Sequence, residues 1–245
     1  MKKMDGQVAV VTGAASGMGK AIAELFAKEG AKVLLADYNL EGAEKASEAI
    51  QKSGGTAKAF KVDVSNRKAV EEMIDTATRE FGTLDILVNN AGIMDGFQPA
   101  GEITDEMWDR VFAVNTNSVM YATRKVIPLF LEKEKGIIIN IASTGGYNGA
   151  HAGATYTASK HAVIGFTKNT AFMYAQKGIR VNAIAPGATM TNIGNTLKNV
   201  SEFGQQRAGL TQALIPRVGS AEEIATVALF LATDASSFEI GRAHV

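Results

Sequence analysis

Six short apolar runs, each followed by a segment of helical period, limit what this chain can fold into. The runs are QVAVVTG (7–13), AKVLLAD (31–37), AKAFKVDV (57–64), LDILVNN (84–90), GIIINIAS (136–143) and IRVNAIAPG (179–187). They show little polar alternation, the pattern of strands buried on both faces of a parallel sheet. Between them, segments such as MGKAIAELFAKEG (18–30) repeat with helical period: Ile22, Leu25 and Phe26 mark a core face and Glu29 a wet one. Gly30, Gly82 and Gly178 stand where a helix must stop before a strand, suited to a left-handed cap. The alternation predicts one α/β domain over residues 1–245, a doubly wound parallel sheet with helices on both faces. Residues 188–216 depart from it. They are rich in Gly, Asn and Thr with weak periodicity, and are expected to form a mobile excursion with at most short helices, a common setting for a substrate lid.

Composition removes several function classes. Lys and Arg total 25 and so do Asp and Glu, giving zero formal charge and no basic excess for a nucleic acid. There is no cysteine, so disulfides and thiolate metal sites are excluded. The three histidines, His151, His161 and His244, have no ligand-like pairing, and no metal is expected. His161 is expected to face solvent or a packed helix side. The N-terminal apolar run stops at Thr12-Gly13, too short for a signal peptide, and no run approaches the roughly 20 residues that span a bilayer. The reading is a cytoplasmic protein with no membrane partner.

The first run leads into VVTGAASGMGKAI, which sets Gly13, Gly17 and Gly19 at a strand-to-helix junction. Glycines there allow a tight turn and let backbone N–H groups approach a pyrophosphate at the helix N-terminus. Asp37 ends the second run, where a carboxylate can bond the adenosine ribose hydroxyls and repel a 2′-phosphate. No Lys or Arg lies within GAASGMG to attract one, so NAD(H) is preferred over NADP(H). Farther on, ATYTASKHA (154–162) places Tyr156 and Lys160 four apart, on one face of a helix.

Together these stretches resemble the short-chain dehydrogenase/reductase family, in its compact Rossmann-like branch. TGAASGMG (12–19) matches that family's TGxxxGxG, NNAG (89–92) its NNAG and YTASK (156–160) its YxxxK, and the match continues through PGATMT (186–191). The resemblance implies a secondary alcohol dehydrogenase or ketone reductase with Asn115, Ser143, Tyr156 and Lys160 as the catalytic set. It implies cofactor contacts from Gly13, Ser16, Gly17, Met18, Gly19 and Asp37. It adds Asp63 and Val64 at the adenine, and Asn90, Ala91 and Gly92 along the cleft. Pro186, Gly187, Thr189 and Thr191 are implied at the nicotinamide end, with Tyr156 and Lys160 also touching the cofactor. It further implies a homotetramer.

The chemistry has a physical basis apart from the name. Free tyrosine has a pKa of about 10 and is a poor base at neutral pH. A neighbouring ammonium favours the phenolate and oxidised nicotinamide adds a second positive charge, so Tyr156 is expected to be drawn down toward neutrality, remove the alcohol proton, and return it in reverse. Ser143 is expected to bond the reacting oxygen, and Asn115 to place a water linking Lys160 to solvent. Met94, Phe97, Gly145, Tyr147, His151 and Met190 are candidates for the substrate mouth, His151 being equally consistent with a solvated loop. Apolar residues at 188–216, including Met190, Ile193, Leu197, Phe203 and Leu210, suit a moderately apolar alcohol or ketone. Rival readings are a non-catalytic NAD(H)-binding regulator and a 3-oxoacyl-thioester reductase. The tail SSFEIGRAHV departs from the family's closing strand, which is expected to be replaced or cut short, leaving a dimer if one interface is lost.

Overall fold

A computed structural model describes residues 2–212 and 214–244, with no side chain described at 212. Strand β1 (Val8–Thr12) leads to helix α1 (Gly17–Lys28), followed by β2 (Lys32–Asp37), α2 (Leu40–Lys52), β3 (Thr56–Lys61) and α3 (Arg67–Phe81). Next come β4 (Ile86–Asn89), α4 (Asp105–Phe112), α5 (Ser118–Lys133), β5 (Gly136–Ile141), α6 (Ala154–Tyr174) and β6 (Ile179–Ile184). Helices α7 (Glu202–Gln212) and α8 (Ala221–Ala232) precede a two-residue strand, β7 (Ala243–His244). All pairings are parallel, in the order β3-β2-β1-β4-β5-β6-β7. The chain winds outward from β1 through β3, then crosses back to β4 on the other side of β1. That reversal opens a crevice at the carboxyl ends of β1 and β4, the usual ligand position in open α/β sheets.

The expected lack of polar alternation holds in the centre, where every residue of β1, β4 and β5 is buried. It fails at β3, where only Ala57 is fully buried, because β3 is an edge strand with one flank open. Side-chain alternation splits the core into two layers. Ala9, Val11, Val33 and Leu35 pack against Ile22 and Phe26 of α1 and Leu229 of α8. Val8, Val10 and Leu87 meet Met73 and Ile74 of α3 and Val126 and Phe130 of α5. Phe26 and Phe130 are fully buried, each worth about 1.5–3 kcal/mol of apolar transfer.

Gly82 and Gly178 close their helical stretches with φ of 83° and 70°, the left-handed geometry expected of them. Residues 188–216 are more ordered than expected, since α7 runs for 11 residues. The tail keeps a shortened last strand: Arg242 and His244 accept from Ala183 N and Ala185 N, while Asn182 bonds Arg242 N and Glu239 O. No helix among the described residues is long and apolar enough to cross a membrane.

Candidate active site

The phosphate-loop candidates form one interlocked turn. Gly13 and Gly17 take φ of 66° and 54°, and Ser16 caps α1 without a side-chain bond. No acidic residue occupies the first turn of α1, so its N–H groups and dipole face an uncompensated opening, suited to an anion. Gly19 lies against the turn: a Cβ there would stand 2.5 Å from Asn90 Nδ2 and closer still to the Gly13 carbonyl. Met18 sits between these two glycines, half-buried against the core.

Asn90, expected along the cleft, is placed as the fastener of this turn. Its Nδ2 donates to Thr12 O (2.8 Å) and Gly13 O (3.1 Å), while the backbone nitrogens of Asn90 and Ala91 donate to Thr12 Oγ1 at 3.0 Å each. Asp37 reaches the same turn from β2. Its Oδ2 accepts from Ala15 N at 2.9 Å and its Oδ1 from Asn39 N at 2.8 Å, which fixes the carboxylate at the rim. Asp63 is exposed, its Oδ1 accepting from Ser65 N and Oγ, beside the nearly buried Val64. These features fit a dinucleotide: a bare helix N-terminus, a fixed carboxylate at the ribose end, and a cleft of about 320 Å³ bordered by Gly17, Lys20, Thr191 and Ser220.

Ser143, Tyr156 and Lys160 converge beyond the carboxyl end of β5. Ser143 follows β5 and caps a short turn, its Oγ accepting from Gly145 N at 3.0 Å. A Cβ at Gly145 would stand 3.4 Å from that Oγ and 3.5 Å from the Tyr156 ring, so both side chains border this glycine. Tyr156 and Lys160, one turn apart on α6, are 7% and 3% exposed. The ammonium lies 5.6 Å from the tyrosine ring and donates to Ile141 O at 2.9 Å. Gly92 borders the ammonium; a Cβ there would stand 3.5 Å from Lys160 Nζ and from Asn115 Oδ1.

Asn115 sits in a π-helical turn, Ala113–Asn117, that joins α4 to α5. Such turns recur at functional sites. Its side chain has these protein partners: Oδ1 accepts from Ile93 N, and Nδ2 donates to Ile93 O and Ser159 Oγ. It thus clasps the segment after β4 to α6.

Among the protein's own groups the direction is the reverse of the one expected with a nicotinamide charge in place. Burial pushes the phenol up to about 12, with the Ser143 hydroxyl opposing and the Asp95 charge adding to the rise. Burial likewise brings Lys160 down to about 8. For both groups the loss of solvation is the largest cause.

Pro186 receives the Thr144 N–H at 3.0 Å and so steadies the Ser143 turn. Gly187 is exposed, Thr189 Oγ1 bonds its carbonyl, and Thr191 packs over Gly17. Two mouth candidates have these surroundings. Tyr147 turns its hydroxyl to Ala243 O at 3.0 Å and braces the tail. Met190, 76% exposed, lies in the cleft beside Gly17 and Lys20, on the phosphate side. Gly145 does border the phenol, and Met94 and Phe97 meet residues 196–204. His151 is half-buried, and His161 is exposed with Nδ1 2.9 Å from Thr157 O. Thr12 and Asp95 were missed. Thr12 was legible inside TGxxxGxG, whereas nothing in NNAGIMDG marks Asp95 as buried.

A family model described as short chain dehydrogenase matches residues 7–201. The chain belongs to the short-chain dehydrogenase/reductase family. 3β-Hydroxysteroid dehydrogenase 2 of Eggerthella lenta is 50% identical over 234 residues, covering 95% of this chain and 90% of that one. Cyclohexanol dehydrogenase of an Acinetobacter species is 37% identical, covering 99% and 94%. The crystal structure of levodione reductase superposes with a TM-score of 0.90 at 35% identity, covering 98% and 96%. This short-chain dehydrogenase/reductase is an oxidoreductase acting on CH–OH groups, interconverting a secondary alcohol and a ketone.

Proposed function

We propose an NAD(H)-preferring enzyme for an apolar, alicyclic secondary alcohol or its ketone, up to the size of a steroid. The convergence of Ser143, Tyr156 and Lys160 in one buried corner beside the cleft carries this reading. The bound nicotinamide supplies the hydride acceptor in oxidation and the hydride donor in reduction. Tyr156 takes the hydroxyl proton during oxidation and returns it to the carbonyl oxygen during reduction. Ser143 holds that oxygen by a hydrogen bond. Lys160, held by Ile141 O, orients toward the ribose and the phenol, and Asn115 keeps the walls of the cleft in register.

Asp37 sets the cofactor preference, because its fixed carboxylate would face a 2′-phosphate at close range. Residues 188–216 form the substrate lid, with Phe203 and Leu210 exposed on α7 and ready to cover an apolar ligand. The names of the steroid and cyclohexanol relatives agree with that surface. Exposed Phe172 and Met173 near the end of α6, beside the tail with its exposed Phe238, support assembly into a homotetramer. We place the protein in the cytoplasm.

The test is turnover of cyclic ketones, steroids and linear 3-oxoacyl thioesters with NADH and with NADPH. NADH and an alicyclic ketone are expected to win, and Asp37→Ala to move the NADPH/NADH ratio of kcat/KM by about tenfold, roughly 1.4 kcal/mol. A thioester as best substrate, or an unmoved ratio, overturns the corresponding part.

A further inference from the structure

Asp95 differs from the other acidic residues of the site in being fully buried. Its partners are three backbone N–H groups. Oδ1 accepts from Phe97 N at 3.1 Å and Gly153 N at 3.0 Å, and Oδ2 from Tyr156 N at 2.9 Å. A carboxylate taken out of water needs an opposite charge or several hydrogen bonds. Here the start of α6 provides them, where the first N–H groups have no partner within the helix and the dipole favours negative charge.

The neighbouring Gln98 carbonyl accepts from Ala154 N at 2.9 Å. Residues 95–98, arriving from β4, therefore cap α6 from outside. Gly153, the helix's own cap position, has no side chain for the task, and a Cβ there would stand 2.5 Å from Asp95 Oδ2. The arrangement bends the chain: Phe97 takes φ of 58°, rare for an aromatic residue, with its N–H tied to Asp95. Strain of this kind persists only where surrounding contacts fix it.

We infer that Asp95 is a positioning residue for the reaction, fixing the first turn of α6 so that the Tyr156 phenol meets Ser143 and Lys160. Its charge has a second effect. It opposes the phenolate, in the same direction as burial. The polar and charged groups around the phenol are Lys160 on α6, Ser143 after β5 and Asp95 after β4. The grip aligns the proton carrier while the charge keeps the proton on it. The inference rests on Tyr156 being the proton-transfer group.

Asp95→Asn keeps the size and removes the charge and one acceptor. The measurements are kcat, KM and the pH profile of alcohol oxidation, with NADH binding by fluorescence titration. The expected result is retained NADH binding, kcat lower by about tenfold or more, and a rising limb moved to lower pH by roughly one unit. Gly153→Ala crowds the same cap and leaves the charge, so kcat falls and the limb stays. Wild-type kcat in Asp95→Asn, or a loss of kcat with an unmoved limb, overturns the inference. If Asp95→Asn does not fold, Gly153→Ala decides, and an unchanged kcat in it overturns the inference. Tyr156→Phe is assayed alongside. If it turns over normally, the proton-transfer reading fails; if it is dead while Asp95→Asn is normal, only the role of Asp95 fails.

Discussion

At the scale of single residues, the proposed chemistry turns on one phenol that burial holds in its protonated form. A pKa of about 12 leaves Tyr156 ready to donate at neutral pH and slow to accept. Ketone reduction is therefore expected to run well near neutrality, and alcohol oxidation to climb as pH rises into the alkaline range. Tyr156→Phe is expected to keep NADH binding and lose about 10²–10⁴-fold in kcat, the usual share of a general acid–base group. Initial rates in both directions across pH check both statements, and a flat oxidation profile contradicts the first. Sequence gave access to residue identity far better than to residue state. Tyr156, Lys160 and Asp37 are legible because spacing puts them on a helix face or a strand end. The direction of the phenol's shift is not, since burial is a property of the whole fold. The surroundings of Tyr147 and Met190 were not legible for a related reason: spacing says nothing about where a loop side chain points.

At the scale of elements, central strands and capped helices were readable, while irregular segments were not. β3, TAKAFK, carries Lys58 and Lys61 and pairs on one side only, so its position at the sheet edge and its polar residues agree. α7 was invisible because its apolar residues are scattered around the helix with little sidedness. The junction of β1 and α1 makes the sharpest prediction here. Gly19→Ala forces a methyl into Asn90 and the Gly13 carbonyl, which separates helix from turn. NADH affinity is expected to fall by about tenfold or more, with a lower melting temperature. Calorimetric titration and thermal unfolding measure the two; unchanged affinity contradicts the packing argument.

For the whole molecule, the seven-stranded parallel sheet gives an interior that needs no partner, whereas its outer faces retain large apolar side chains. Phe172, Met173 and Phe238 are 83%, 63% and 96% exposed. Four chains per particle are expected in solution, and Phe238→Ser is expected to weaken the assembly. Light scattering after size exclusion reads this directly, and a monomeric wild-type protein contradicts it. The closing strand was expected to be replaced or cut short, and two residues of β7 do pair with β6.

The hydroxyl of Thr12 receives two backbone N–H groups from the far side of the winding reversal. It acts as a stitch across the crevice. The turn after β1 and the segment after β4 cannot part without breaking it, so the two rims of the opening move as one body.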